Sequence, residues 1–171
     1  MKNFIASLRP LFILVCFALL FINMAFGQAD NCYIIKVIDG DSFTAIYMGK
    51  IIHCRLAMID APELKQSFGI NARDSLAAMI VGRTGYLSLN GEDKYHRQLV
   101  RLFIHNKDVE ELMLLKGLAW LYNKDDTMGL LESAAQLNGY GLWACKRRIP
   151  PWQYRRLSKT AKAMFGRCDN G

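Results

Sequence analysis

Residues 55–63 read RLAMIDAPE, and the chemistry lies at the two ends of that run. Leu56, Met58 and Ile59 favour burial, yet Arg55 opens the run and Asp60 and Glu63 close it around Pro62. An unpaired charge beside a core is costly, so these ionic groups need partners or a task. Pro62 biases Ala61 away from the helical region. That turns the Ala61 carbonyl outward and lets it share one solvent pocket with Asp60 and Glu63. Two further stretches carry the same mixture, Asp39-Gly40-Asp41 and Asp93-Lys94-Tyr95-His96-Arg97. Asp41, Asp60 and the Ala61 carbonyl are hard oxygen donors that suit Ca²⁺ or Mg²⁺. So few protein ligands leave positions for water and a substrate oxygen, as a catalytic metal requires. Glu63, acceptor-only when ionised, can take a proton from a water. Arg55 and Arg97 can grip phosphate oxygens bidentately. Together these groups match hydrolysis of a phosphodiester, which needs an activated water and neutralisation of charge on phosphorus. The plainer alternative is a surface turn with a satisfied ion pair.

The elements around these stretches read as strands and turns. Residues 33–38, 42–47 and 51–59 form three strands separated by Asp39-Gly40-Asp41 and Gly49-Lys50, an antiparallel meander. Ala72, Leu76, Ala77, Met79 and Ile80 recur at helical spacing over 69–81. Residues 84–89 and 99–104 are two more strands, with a turn at Asn90-Gly91 and a charged loop over 92–97. Asp108 caps a second helix ending near Gly117, and a third starts near Thr127. The expected fold is α+β: a five-stranded OB-fold-like β-barrel with three helices, plus a C-terminal basic helical tail. All three charged stretches then fall at strand ends, where functional groups on such barrels sit.

Composition narrows the partners. The formal charge of +7 favours nucleic acid or anionic surfaces. Residues 1–27 combine a basic start, a short apolar run and Ala25-Phe26-Gly27, which reads as a cleavable export signal. Its removal takes away Lys2 and Arg9 and leaves a formal charge of +5. An uncleaved membrane anchor is the alternative. The protein is therefore expected to be exported, periplasmic or secreted, with residues 28–149 as its main domain and 150–171 as a basic tail. Cys32, Cys54, Cys145 and Cys168 remain, enough for two disulfides in any of three pairings. A bridge from Cys168 would tie the tail to the body, and the lack of a C-x-x-C pair argues against zinc. Arg155, Arg156, Lys159 and Lys162 are expected on a solvated face of one tail helix over 152–165.

The motifs IDGDS (38–42), RLAMIDAPE (55–63) and DKYHR (93–97), in that order, resemble the staphylococcal nuclease (thermonuclease) family. GLAW (117–120) and GLW (141–143) are also similar to it, so the resemblance spans about residues 33–152. It implies a Ca²⁺-dependent nuclease that cleaves single-stranded or frayed DNA and RNA and leaves 3′-phosphate ends; no stable protein partner is implied. It also implies residue roles. Asp41, Asp60 and the Ala61 carbonyl would ligate Ca²⁺, with Asp39 behind them. Glu63 would be the general base, and Arg55 and Arg97 would hold the scissile phosphate. Lys94 and Tyr95 would contact a neighbouring phosphate, and Tyr122 would stack on a base. Two positions depart from the family pattern. Ser42 stands where threonine is common, and His96 where glycine is usual; a Cβ at 96 could shift the loop that carries Arg97, but an exposed loop side chain is the favoured reading. A non-catalytic nucleic-acid-binding barrel need not keep all of Asp41, Asp60, Glu63, Arg55 and Arg97, and here all five are present.

Overall fold

The computed structural model describes residues 31–168. The expected export segment lies outside the described residues. Strands β1 (Asn31–Val37), β2 (Ser42–Tyr47), β3 (Lys50–Leu56), β5 (Thr84–Glu92) and β6 (Gln98–Ile104) form the barrel, with the short β4 (Ile59–Asp60) between β3 and the first helix. Their order is β3-β2-β1-β5-β6, and a parallel pairing of β3 with β6 closes the ring. The alternation of apolar residues places Cys32, Ile34, Phe43, Ala45, Leu56, Leu87, Val100 and Leu102 inside. Helix α1 (Gly69–Ile80) turns Ala72, Leu76 and Ile80 onto this core, one face at four-residue spacing. Helix α2 (Val109–Leu115) follows β7 (Lys107–Asp108) and is capped by Asp108, whose carboxylate accepts from the amides of Glu110 and Glu111. Helix α3 (Asp126–Leu137) is capped by Asp125. Among the described residues no helix is long and apolar enough to cross a membrane.

The expected five-stranded α+β barrel is thus the observed one, with four local corrections. The third strand does not run unbroken to Ile59. The Ala57 amide makes the last β3–β6 bond, to the Val100 carbonyl, and the Met58 amide turns to Glu110 Oε1 instead of a strand partner. The chain resumes as β4, which pairs with β8 (Trp120–Leu121). Asn90-Gly91 is not a turn: β5 continues through it as a bulge, with Gly91 at φ 108°. The tail is not one helix but two, α4 (Pro151–Tyr154) and α5 (Lys159–Ala163), because Ser158 turns extended and caps the second. The expectation of two disulfides also fails. Cys145 and Cys168 are bridged, while Cys32 and Cys54 are free thiols buried in the barrel. Burial pushes these thiols up to about 11 and about 12, which keeps them protonated and unreactive.

Glu110 is the one acid of α2 with no exposed surface. One oxygen accepts from the Met58 amide, while the other lies 3.5 Å from the Arg101 guanidinium and has no hydrogen bond. Burial pushes its carboxyl up to about 7, so the folded protein holds a proton here that the unfolded chain releases near its ordinary value of 4.5. Folded-state proton uptake means that stability falls as pH rises between those two values. The loss should amount to at most about 3 kcal/mol. Glu110→Gln keeps an acceptor for Met58 and cannot ionise. Denaturant midpoints at pH 5 and pH 8 should differ less in E110Q than in the parent protein; equal differences would show that Glu110 does not carry the effect.

Candidate active site

Strand register assembles the site. In the antiparallel β2–β3 pair Ser42 lies opposite Arg55, and in the parallel β3–β6 pair Arg55 lies opposite Leu99. Residues 39–42, 55–63 and 93–97, far apart in sequence, thereby meet at one end of the barrel. Gly40 lets the first turn approach the second: a Cβ on it would lie 2.5 Å from the Ala61 methyl and 2.8 Å from that of Ala72. Glycine is needed here for close approach rather than for an unusual dihedral.

Arg55 bridges the two central carboxylates. Its Nη1 donates to Asp41 Oδ1 and its Nη2 to Asp60 Oδ1, each at 2.7 Å. Asp41 and Asp60 are 3% and 0% exposed. The other oxygen of Asp41 accepts from the Ala61 amide at 3.0 Å. Behind them Asp39 Oδ1 accepts from the Asp41 amide, which holds the turn. Burial pushes the Asp41 carboxyl upward, the neighbouring Arg55 guanidinium opposes that, and the acids Asp39 and Asp60 beside it add to the upward push. The Arg55 guanidinium, although desolvated, is held charged by Asp41 and Asp60.

Arg97 enters from the other side. Its Nη1 donates to the Ser42 hydroxyl at 2.9 Å, and that hydroxyl donates to Asp41 Oδ1 at 3.0 Å. Asp93 fixes the approach: one oxygen accepts from Arg97 Nε and Nη2, and the other from the amides of Tyr95 and Arg97. Desolvation opposes its charge, but the hydrogen bonds from Arg97 and Tyr95 win and hold its carboxyl below the ordinary value. His96 sits at φ 61° with an exposed ring that meets Glu92 at 2.7 Å. With His96 in that left-handed conformation, Arg97 still reaches Ser42 and Asp93. Tyr95 is exposed, with Lys94 and Arg97 over its ring at 5.0 and 5.6 Å. Tyr122 is also exposed, with its ring 5.9 Å from Trp152 on α4.

The tail corrects one expectation. Arg155, although half-exposed, is not left to solvent. Its Nη2 donates to Asp60 Oδ2 at 2.8 Å, and its Nη1 to Asp60 Oδ1 and Glu63 Oε1 at 3.2 and 2.9 Å. The hydrogen bond to Asp60 is the main cause holding this guanidinium charged beyond its ordinary range. Sequence reasoning missed Arg155, and it also missed Ser42 and Asp93 as members of the network. Asp93 stood inside a quoted motif; Arg155, 95 residues beyond Asp60, had no spacing signal at all.

The donor set fits a hard divalent cation. Asp41 and Asp60 supply carboxylate oxygens, and a cationic guanidinium already bridges Asp60 and Glu63. Five carboxylates (Asp39, Asp41, Asp60, Glu63 and Asp93) join the network against three guanidiniums, a formal surplus of two negative charges. Among the described residues no group of three or more His, Cys, Asp or Glu is placed so that it could hold a metal ion.

A closed five-stranded barrel with acids and guanidiniums gathered at one end defines a phosphate-handling enzyme on an oligonucleotide-binding type of scaffold. The chain matches the staphylococcal nuclease homologue family over residues 53–145. It is 34% identical over 136 residues to an "Uncharacterized endonuclease" of Haemophilus influenzae, covering 77% of this chain and 76% of that protein. It is 30% identical over 176 aligned positions to the "Micrococcal nuclease" of Shigella flexneri, covering 94% of this chain and 99% of that protein. The protein belongs to the staphylococcal nuclease family and is a nuclease, a hydrolase of phosphodiester bonds in nucleic acid.

Asp93 touches Arg97 and no other charged side chain of the network, so it isolates positioning from chemistry. Asp93→Ala should lower kcat/KM on nucleic acid by about 10- to 100-fold, the scale of a misplaced contact, with an unchanged circular dichroism spectrum. An effect below about twofold would mean that Arg97 needs no such support.

Proposed function

We propose that this protein is an exported, Ca²⁺-dependent nuclease acting on single-stranded or frayed DNA and RNA and leaving 3′-phosphate ends. The observation that carries the reading is the single hydrogen-bonded network joining Arg97, Ser42, Asp41, Arg55 and Asp60, with Glu63 tied in through Arg155. Asp41, Asp60 and the Ala61 carbonyl would hold the cation, with Asp39 fixing the turn behind Asp41. When bound, the cation supplies charge neutralisation at the phosphate and orients a water. Glu63 is 40% exposed at its side chain and stands at the open edge, where it takes the proton of the attacking water. Arg55 and Arg97 enter from neighbouring strands and grip the non-bridging oxygens as charge builds on phosphorus. Lys94 and Tyr95 extend the cationic edge toward the next phosphate, and Tyr122 offers a face for a base.

Export is supported by the Cys145–Cys168 disulfide, which persists in oxidising compartments. Residues 28–149 form the catalytic unit in this reading, 150–171 its tail and 1–27 the export signal. A preference for unpaired strands follows from Tyr95 and Tyr122, because a base can reach an aromatic face only when it is unstacked.

Digestion of single-stranded DNA and RNA side by side, with and without chelator, tests the metal role. Activity should vanish in excess chelator and return with Ca²⁺; undiminished cutting would remove the cation from the mechanism. Glu63→Gln should reduce turnover by about 10²–10⁴-fold, the usual worth of a general base, while single-stranded DNA is still retained in a gel shift. Near-normal turnover in that variant would reassign the base. Product ends labelled only after phosphatase treatment at the 3′ side would match the proposed cleavage; free 3′-hydroxyls would reverse it.

A further inference from the structure

We propose that Arg155 is a built-in competitor of the metal: the C-terminal strap seats its guanidinium where the divalent cation must bind, and cation binding displaces it. This rests on the assignment of Asp41 and Asp60 as the metal-binding acids. The argument begins with the oxygens. Asp41 Oδ1 is taken by Arg55 and Ser42, and Asp41 Oδ2 by the Ala61 amide. Asp60 Oδ1 accepts from both Arg55 and Arg155. Asp60 Oδ2 accepts from Arg155. A cation approaching Asp60 therefore meets Arg155 first. The same guanidinium holds Glu63 Oε1, so the acid placed for proton transfer is occupied by the same contact.

The strap is anchored on both sides of Arg155. Gln66 Nε2 donates to the Ile149 carbonyl at 2.7 Å, the Tyr154 hydroxyl to the Lys65 carbonyl at 3.2 Å, and the Ser67 amide to the Phe165 carbonyl at 2.7 Å. All three anchors lie on residues 65–67, just after Glu63. The Cys145–Cys168 disulfide closes the loop that contains Arg155. Trp152 packs edge-on against Trp120 and Tyr122. The Arg155 side chain remains 44% exposed, so it can leave into water without breaking the core. A fixed strap with a releasable tip is the arrangement of a competitor, not of a structural ion pair sealed inside.

Calorimetric titration of the full exported protein with CaCl₂ tests this. Arg155→Met should bind Ca²⁺ about 3- to 30-fold more tightly than the parent, as removal of a half-exposed ion pair predicts. Arg155→Lys, which keeps the charge and loses the fork, should fall between them. Serine at both Cys145 and Cys168 unties the strap and should shift affinity in the same direction as Arg155→Met, which gives a second route should that variant not fold. Equal or weaker Ca²⁺ binding by a folded Arg155→Met protein would overturn the proposal. Asp60→Asn separately tests the metal assignment. If that variant binds Ca²⁺ like the parent, the cation sits elsewhere and both readings fall; if only the Arg155→Met result fails, the metal assignment stands and Arg155 is not its competitor.

Discussion

The bridge from Arg55 to Asp41 and Asp60 is the constraint on which the rest depends. Two nearly inaccessible carboxylates cannot both ionise beside each other without a counter-charge, because each charged group loses several kcal/mol of hydration on burial. Arg55 supplies that charge with one planar fork, whose two nitrogens face two different acids at the same distance. The geometry needs Arg55 on the strand between the other two motifs. The β2–β3 register delivers one acid, the break after Leu56 turns the chain so that Asp60 comes back to meet its own strand, and the β3–β6 closure brings in Arg97. The broken third strand is thus a requirement of the site. A straight strand to Ile59 would carry Asp60 along the barrel, away from the guanidinium five residues before it.

The loop that carries Arg97 follows a different logic, in which local hydrogen bonds replace register. Asp93 accepts two backbone amides and the guanidinium of its own turn, so one carboxylate sets both the loop and the direction of the side chain. Such a turn has room for a left-handed residue at 96, which is why glycine is usual there. Histidine at that dihedral costs roughly 1–2 kcal/mol, a cost offset in part by the contact of its ring with Glu92. The strain stays in His96 and is not passed to Arg97, because Asp93 holds the residues on either side of it.

How much of this was legible in the chain depends on whether the deciding contact is local. The barrel strands, α1 and the Asp108 cap are written in short-range alternation, four-residue spacing and a capping residue, and they stand as expected. The clustering of Asp41, Asp60, Glu63, Arg55 and Arg97 was legible because each lies at a strand end beside a turn residue. What failed were features decided by distant partners. The third strand breaks where Glu110, from a distant helix, captures the Met58 amide. Asn90-Gly91 looks like a hairpin turn, yet pairing with β6 carries the strand through it. Cys32 and Cys54 could be counted as half-cystines, but both face into the barrel core as free thiols. Arg155 was invisible because a basic tail has the same composition whether it faces water or an acid.

That last ambiguity is resolved by charge and tethering together. A free arginine gains little from an exposed carboxylate, about 0–1 kcal/mol. Arg155 gains more for two reasons: one of its partners is fully buried, and its loop is already closed by anchors on residues 65–67 and by a disulfide spanning 23 residues. Closure removes most of the entropy that an untethered side chain would lose on docking. The contact still cannot become overwhelming, since nearly half of the Arg155 side chain stays in water. A competitor of that strength alters cation affinity by a factor of tens rather than thousands. The tail is therefore held firmly enough to occupy Asp60 and Glu63 and stays exposed enough to release them.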